Sequence, residues 1–403
     1  MNKNKNTLII FFISLFDGAA LSMVFTTLLP LLLSPSNHFY PLSSSHETRR
    51  ILLGLVLAMM PIGQFFGSPI WGNLADKFGR KKTLLATVFG SSIGLFITAF
   101  SIATTNLSLL LIGRLITGLM ASNIAIGQAS LADTHQHKKR TGSFNIQQIA
   151  IGLGLGFGPG IATYVARNNH VALPFTLMAI IYLGLVFFVW RSFQETFQAE
   201  LAKKLSINLN LIISTLKNKN TQRGFFVYMI FMLGWSLYFQ FSSVFWISQY
   251  HISNAQLSHV FLFLSIAALS AQVLLVQPLA HYVKPSTIIP WSILLIALSF
   301  IALAFTSFGL SFYLFLGLYC IGIAFFMTNV MTYISLSASA NKQGSVLGLV
   351  VSSQALMNLI ITLIGGSIIS FFPKAPFILS GLIILISLIV WKVCNNRFLL
   401  SQE

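Results

Sequence analysis

Twelve runs of about 18 or more apolar residues divide the chain, at 7–33, 52–73, 83–103, 107–132, 144–166, 173–190, 224–249, 259–283, 287–305, 309–335, 344–371 and 375–393. A hydrocarbon core of about 30 Å is crossed by about 20 helical residues at 1.5 Å each, so every run is long enough for one crossing. In lipid each backbone N–H and C=O must be paired within the chain, and runs of this length meet that demand as helices. The expectation is an all-α membrane protein of 12 transmembrane helices. These helices use nearly all of the 403 residues and leave no room for a soluble catalytic domain. A secretory signal is the other reading of the first run, with Lys3 and Lys5 ahead of it. The run continues past Asp17 to Leu33 and no hydrophilic domain follows, which favours a span.

One long polar connection, 191–223, falls near the middle of the chain. It divides the sequence into two six-helix bundles, 1–190 and 224–403, joined by a linker. Only 8% of residues are charged, against about 25% in a soluble domain, too few to cover a folded surface in water. Their sum is nonetheless +17, a balance that points to nucleic acid or acidic lipid unless its location explains it.

Location does explain it. Nineteen of the 24 Lys and Arg residues fall on one side of the spans, at the termini, the linker and the connections 74–82 and 133–143, with Lys284 and Lys342. The other side holds Arg49, Arg50, Arg167 and Lys374, and Arg114 lies within a span. By the positive-inside rule both termini and the linker are cytoplasmic, as expected of a multi-pass protein of a bacterial-type inner membrane. The basic face then meets anionic lipid headgroups, and no nucleic-acid partner is required. Cys320 and Cys394 have neither disulfide nor zinc spacing, so no metal or other cofactor is expected.

The halves resemble each other. Leu74-Ala75-Asp76 recurs as Leu279-Ala280-His281, Gly118 and Asn123 correspond to Gly322 and Asn329, and Lys139-Arg140-Thr141-Gly142 is similar to Lys342-Gln343-Gly344-Ser345. The near-constant offset points to duplication, hence two pseudo-symmetric bundles.

Gly72-Asn73-Leu74-Ala75-Asp76-Lys77-Phe78-Gly79-Arg80-Lys81-Lys82 lies between runs 2 and 3 and resembles the loop 2–3 motif of the major facilitator superfamily. Leu15-Phe16-Asp17-Gly18 with Leu29-Pro30, Arg114-Leu115-Ile116-Thr117-Gly118, and Gly154-x-x-x-Gly158-Pro159-Gly160 resemble its drug/proton antiporter branch, which includes tetracycline exporters. Two features depart from that pattern. The span 5 motif ends in Ala162-Thr163 where the branch has a glycine pair, and the second half has His281 and Pro285 where the first has Asp76 and Arg80. The resemblance implies the major facilitator fold, alternating access and a charge cluster of Asp76, Arg80 and Asp133 that latches the two halves.

Asp17 is the only acid well inside a span, where a charge costs roughly 3 kcal/mol or more. It lies ten residues, about 15 Å, from the cytoplasmic face, and Arg114 differs from it in depth by only about 5 Å. Either the two carry proton coupling, with Asp17 taking up and releasing the proton, or they form a permanent ion pair that fixes helix register. Gly72 and Gly79 are expected to permit the tight turn of the loop. Glycines 152, 156 and 160 share one helix face, and 154 and 158 another, making two seams for close packing, with a kink at Pro159 as a hinge. Tyr228, Met232, Trp235, Tyr238, Phe239 and Ser242 recur at helical spacing in span 7 and face either a cavity or the core. Asn123, Gln147, Asn329, Gln354 and Asn358 are amides within spans and are expected to face protein or water. The substrate-cavity candidates are Asp17, Arg114, Asn123, Gln147, Trp235, Tyr238, Asn329 and Asn358. Gly72, Asp76, Gly79, Arg80, Asp133, Gly158 and Pro159 are the candidates for conformational gating.

The resemblance implies a transporter, monomeric as is the superfamily's default, that exports an amphipathic small molecule against protons, one acid and many aromatic rings suiting such a cargo. A proton-coupled importer of a metabolite, amino acid or metal chelator such as a siderophore suits Arg114 equally. A non-transporting receptor or scaffold has no need of Asp17. An enzyme is disfavoured, since HExxH and paired intramembrane carboxylates do not occur.

Overall fold

A computed structural model describes residues 3–33, 39, 46–134, 140–166, 170–197, 219–251, 254–280, 282–338 and 343–399. The expected linker residues 198–218, with Lys203, Lys204 and Lys217, lie outside the described residues, as do Lys138, Lys139, Arg167, His281 and Lys342.

The described residues are almost all helical, and no strand occurs among them. Among the described residues, twelve helical segments are long and apolar enough to cross a membrane, matching the twelve runs one for one. Spans 1 to 3 are Lys3–Leu33, His46–Phe78 and Arg80–Ala103. Span 4 is made of two helices, Leu107–Met120 and Asn123–Thr134. Spans 5 to 7 are Arg140–Val165, Leu173–Ser192 and Lys219–Tyr250. Span 8 runs from Asn254 through a π-helical turn at Ala271–Val276 to Leu279. Pro285–Leu303, Leu310–Ser337, Gln343–Phe371 and Ala375–Leu399 complete the set as spans 9 to 12.

Local chemistry sets several boundaries. The Asn106 side chain accepts from the Leu109 N–H at 3.1 Å and caps span 4 after a connection of only three residues. Pro174 and Pro285 sit in first turns, where the missing N–H leaves no bond unmade. Gly79 separates spans 2 and 3 at φ 94°, a conformation that costs glycine little and other residues much.

The chain forms two compact units. The first comprises Met1–Thr134, Ala150–Ile207 and Asn341–Leu359, and the second His135–Ile149, Asn208–Ala340 and Ile360–Glu403. Within the first, span 4 packs on spans 2 and 3, and span 3 on span 6. Within the second, span 9 packs on spans 10 and 12, and span 12 on span 7. The pairs 3–4 and 3–6 thus recur as 9–10 and 9–12, the packing expected of a duplicated chain.

The units depart from a simple division at the 191–223 linker. The first turns of span 5 pack within the second unit, because Asn145 donates to the Gln272 carbonyl at 3.0 Å and to Gln277 at 2.9 Å. Arg140 also bonds to the Ser335 carbonyl and hydroxyl, each at 3.3 Å. The opening of span 11 packs within the first unit, where Leu347 and Val351 share a buried cluster with Ala125 and Ala129. The Ser352 hydroxyl donates to the Phe65 carbonyl at 2.7 Å.

The core of the second unit is aromatic. Tyr238 stacks on Phe300 with ring centroids 4.2 Å apart and meets Tyr319 and Phe377 edge-on. Large apolar side chains such as Phe100, Phe187, Trp190 and Leu274 are mostly exposed, as suits helix faces turned to lipid.

Candidate functional site

Asp17 lies between spans 4 and 6. Its Oδ1 accepts the Tyr182 hydroxyl and, at 3.1 Å, the amide of Asn123. Oδ2 accepts no hydrogen bond from any described residue, and the side chain is partly exposed. The opposite face of span 1 is pressed against span 5. A Cβ on Gly154 would meet the Leu15 carbonyl oxygen, and one on Gly158 would come within 2.7 Å of the Ala19 Cα. The 154/158 seam is therefore used. On the 152/156/160 face, a Cβ on Gly152 or Gly160 would meet nothing within 4 Å. Span 5 continues through Pro159, whose carbonyl accepts the Thr163 hydroxyl at 2.8 Å and the Thr26 hydroxyl at 3.4 Å.

Asn123 reaches Asp17 because span 4 is broken. Residues 121–122 form a turn, and Asn123 begins the second helix. Carbonyls released by the break are paired from span 2, where the Trp71 indole donates to Leu119 at 2.9 Å and Gln64 donates to Ala121 at 3.3 Å. Pairing of this kind is what allows a helix to break within a membrane.

Arg114 sits in the first helix of span 4 and is 4% exposed. It does not pair with Asp17. One terminal nitrogen donates to the Met60 sulfur at 3.3 Å, and Nε is buried with no hydrogen-bond partner. Met60 is held there by a close helix contact, since a Cβ on Gly118 would strike its backbone.

The motif residues form a second, buried polar centre. Arg80 donates to Asp76 at 2.6 Å and to Asp133 at 2.9 Å, and its side chain is fully buried. The Phe197 ring covers its guanidinium, 4.6 Å from ring centroid to carbon. Asp76 also accepts the backbone N–H groups of Gly344 at 2.9 Å and Ser345 at 2.6 Å. Glu195, which sequence reasoning missed, caps span 3 by accepting the N–H groups of Arg80 at 2.8 Å and Lys81 at 3.1 Å. Gly79 makes the turn between spans, and a Cβ there would also strike Glu195. Gly72 makes no turn. It lies inside the span 2 helix, where the absent side chain lets Gly344 and Gly348 of span 11 come into contact.

In the second unit Trp235 donates from its indole to the Tyr319 hydroxyl at 3.0 Å and stacks on Phe239. Tyr238 is buried in the aromatic core, 3% exposed. Asn329 donates to the Phe325 carbonyl of its own helix at 2.8 Å, and Gln147 is buried. Asn358 belongs to the span 11 segment of the first unit. The network of Asn145, Gln272, Gln277 and Thr328 at the π-helical turn escaped sequence reasoning, and a run of apolar neighbours gives no sign of it. Among the described residues no group of three or more His, Cys, Asp or Glu comes together to hold a metal.

The family model of the Major Facilitator Superfamily matches residues 7–362 and again 224–397. The tetracycline resistance protein, class H, of Pasteurella multocida is 29% identical over 197 residues, 49% of this chain and 46% of that protein. The class B protein of Escherichia coli is 28% identical over 200 residues, 48% and 45% of the two chains. The chain thus matches a little under half the length of these curated relatives. In fold it is similar to the human organic anion transporter MFSD10, with TM-score 0.83 at 18% identity over 97% of this chain and 100% of that one. The E. coli fucose:proton symporter gives 0.77 at 11% identity, covering 98% and 99%. With the motif residues gathered as described and the family match running through nearly the whole sequence, the chain belongs to the major facilitator superfamily of membrane transporters.

Proposed function

We propose that the protein exports a small amphipathic molecule in exchange for protons, by alternating access across a bacterial inner membrane, with both termini cytoplasmic. The observation that carries this reading is Asp17. A carboxylate in mid-membrane is expensive and is kept where it does work. Here two neutral donors occupy one of its oxygens and leave the other open, so a proton can arrive and depart without breaking an ion pair. The tetracycline resistance proteins among its relatives favour drug-like cargo and export over import.

Asp76, Arg80 and Asp133 serve as the conformational latch, with Asp76 holding the N-terminus of span 11 and Arg80 holding Asp76. Protonation of Asp17 and release of this latch would alternate during the cycle. The transporter works as a monomer, in contact with lipid headgroups along its basic face, and needs no cofactor besides the proton gradient.

Proteoliposomes with an imposed pH gradient and a panel of dyes, amino acids and chelators test the reading. Wild-type protein is expected to move a dye uphill in exchange for protons, and Asp17→Asn to bind it without accumulating it. Uphill, proton-dependent transport by Asp17→Asn would refute the coupling role. Accumulation in the direction of proton flow would make the protein an importer.

A further inference from the structure

A guanidinium does not give up its proton even when buried, so Arg114 stays a cation inside the membrane. Its surroundings do not neutralise it. The Met60 thioether is a weak acceptor, Nε is buried with no partner, and no carboxylate oxygen of a described residue lies within 4.0 Å. Asp17, the one acid away from the span ends, is engaged by Tyr182 and Asn123. Nor is the position loose. A Cβ on Gly63 would strike the Leu115 backbone and one on Gly118 the Met60 backbone, so spans 2 and 4 are in close contact beside Met60 and Arg114.

A rigidly held, buried, unpaired cation is strongly destabilising unless an anion joins it. We propose that Arg114 is the anion-binding group of a substrate site in the first unit, and that the cargo carries a carboxylate on an otherwise apolar body. The guanidinium fork matches the two oxygens of a carboxylate. Met60, polarisable and unbranched, suits an adjoining flat apolar group. This inference rests on the transport reading above and narrows its cargo. It also separates two duties: Asp17 handles the proton and Arg114 the substrate's charge.

Equilibrium dialysis of the full-length protein in nanodiscs tests it, with naphthoate and its uncharged isostere naphthamide as probes and empty nanodiscs as the blank. Wild-type protein is expected to bind naphthoate about ten-fold tighter than naphthamide, the scale of a charge-assisted pair. Arg114→Gln is expected to erase that preference while still binding naphthamide, and Arg114→Lys to keep part of it. Equal binding of the two probes by wild-type protein, or a preference that survives in Arg114→Gln, overturns the proposal. The wild-type comparison decides the matter even if Arg114→Gln does not fold. Proton-driven dye export with no naphthoate preference sinks this inference alone. A naphthoate preference in a protein that moves nothing sinks the transport reading alone.

Discussion

Asp76 receives both the backbone N–H and the side-chain hydroxyl of Ser345, each at 2.6 Å. With the Gly344 N–H at 2.9 Å, the carboxylate supplies the first turn of span 11 with acceptors that its own helix cannot provide. Negative charge there also complements the positive end of the helix dipole. Asp76→Asn removes the charge and replaces one acceptor oxygen with a donor. Hydrogen bonds to charged groups are worth about 1.5–3 kcal/mol. Amide exchange at Gly344 and Ser345 is therefore expected to rise roughly ten- to hundred-fold in this variant. Protection unchanged from wild type would mean that the cap does not hold span 11.

Glycine substitutions in span 5 separate packing from propensity. Gly154→Ala and Gly158→Ala push a methyl group into the backbone of span 1 and are expected to cost about 1–3 kcal/mol, read as a lower thermal midpoint in detergent. Gly152→Ala and Gly160→Ala meet open space and are expected to be neutral, or to stabilise by about 0.5–1 kcal/mol through the better helix propensity of alanine. Equal effects at all four positions would remove the 154/158 seam from the account.

The spans and Asp17 were legible in the sequence because each is a departure from local composition. Apolar runs must become helices in lipid, and a lone acid within one stands out. Asp76 and Arg80 were legible through their motif. Their partners were not: Gly344 and Ser345 lie 268 and 269 residues from Asp76, and Glu195 lies 115 from Arg80. Tyr182 looked like any other aromatic residue in an apolar span, although it donates to Asp17 from 165 residues away. The break in span 4 was hidden because Ala121 and Ser122 do not interrupt the hydropathy, and the carbonyls it frees are paired from another helix. Seam 152/156/160 looked as good as 154/158, since spacing alone does not say which helix face meets a neighbour.

Glu195 and Gly79 depend on each other. The carboxylate of Glu195 caps span 3 from the far side of a turn in which only a residue without a side chain leaves it room. Glu195→Gln keeps the shape but weakens the cap, with an expected loss of about 1 kcal/mol. Gly79→Ala adds the cost of a positive φ and displaces the cap, so its fall in thermal midpoint should be the larger. In Glu195→Gln the further effect of Gly79→Ala should shrink, because part of what it destroys is already gone. Strict additivity of the two would show that the residues act separately.

The Tyr182 hydroxyl and the Asn123 amide donate to one and the same oxygen of Asp17. Removing either leaves the carboxylate one donor, whereas removing both leaves it bare in mid-membrane, so the second loss should be worse than the first. Tyr182→Phe and Asn123→Ala are each expected to slow proton-driven transport by roughly ten-fold, about 1.4 kcal/mol in the barrier. Together they should slow it by more than the product of the two, with a coupling of about 0.5–3 kcal/mol, the range for residues that share a network. The same cycle read as thermal midpoints in detergent, in wild type and in an Asp17→Asn background, gives the control. The coupling there should vanish, because the oxygen that joins the two donors no longer bears a charge to be stabilised. A coupling that persists without the carboxylate would mean that Tyr182 and Asn123 meet through packing alone, and Asp17 would lose its claim to be the residue around which the site is organised.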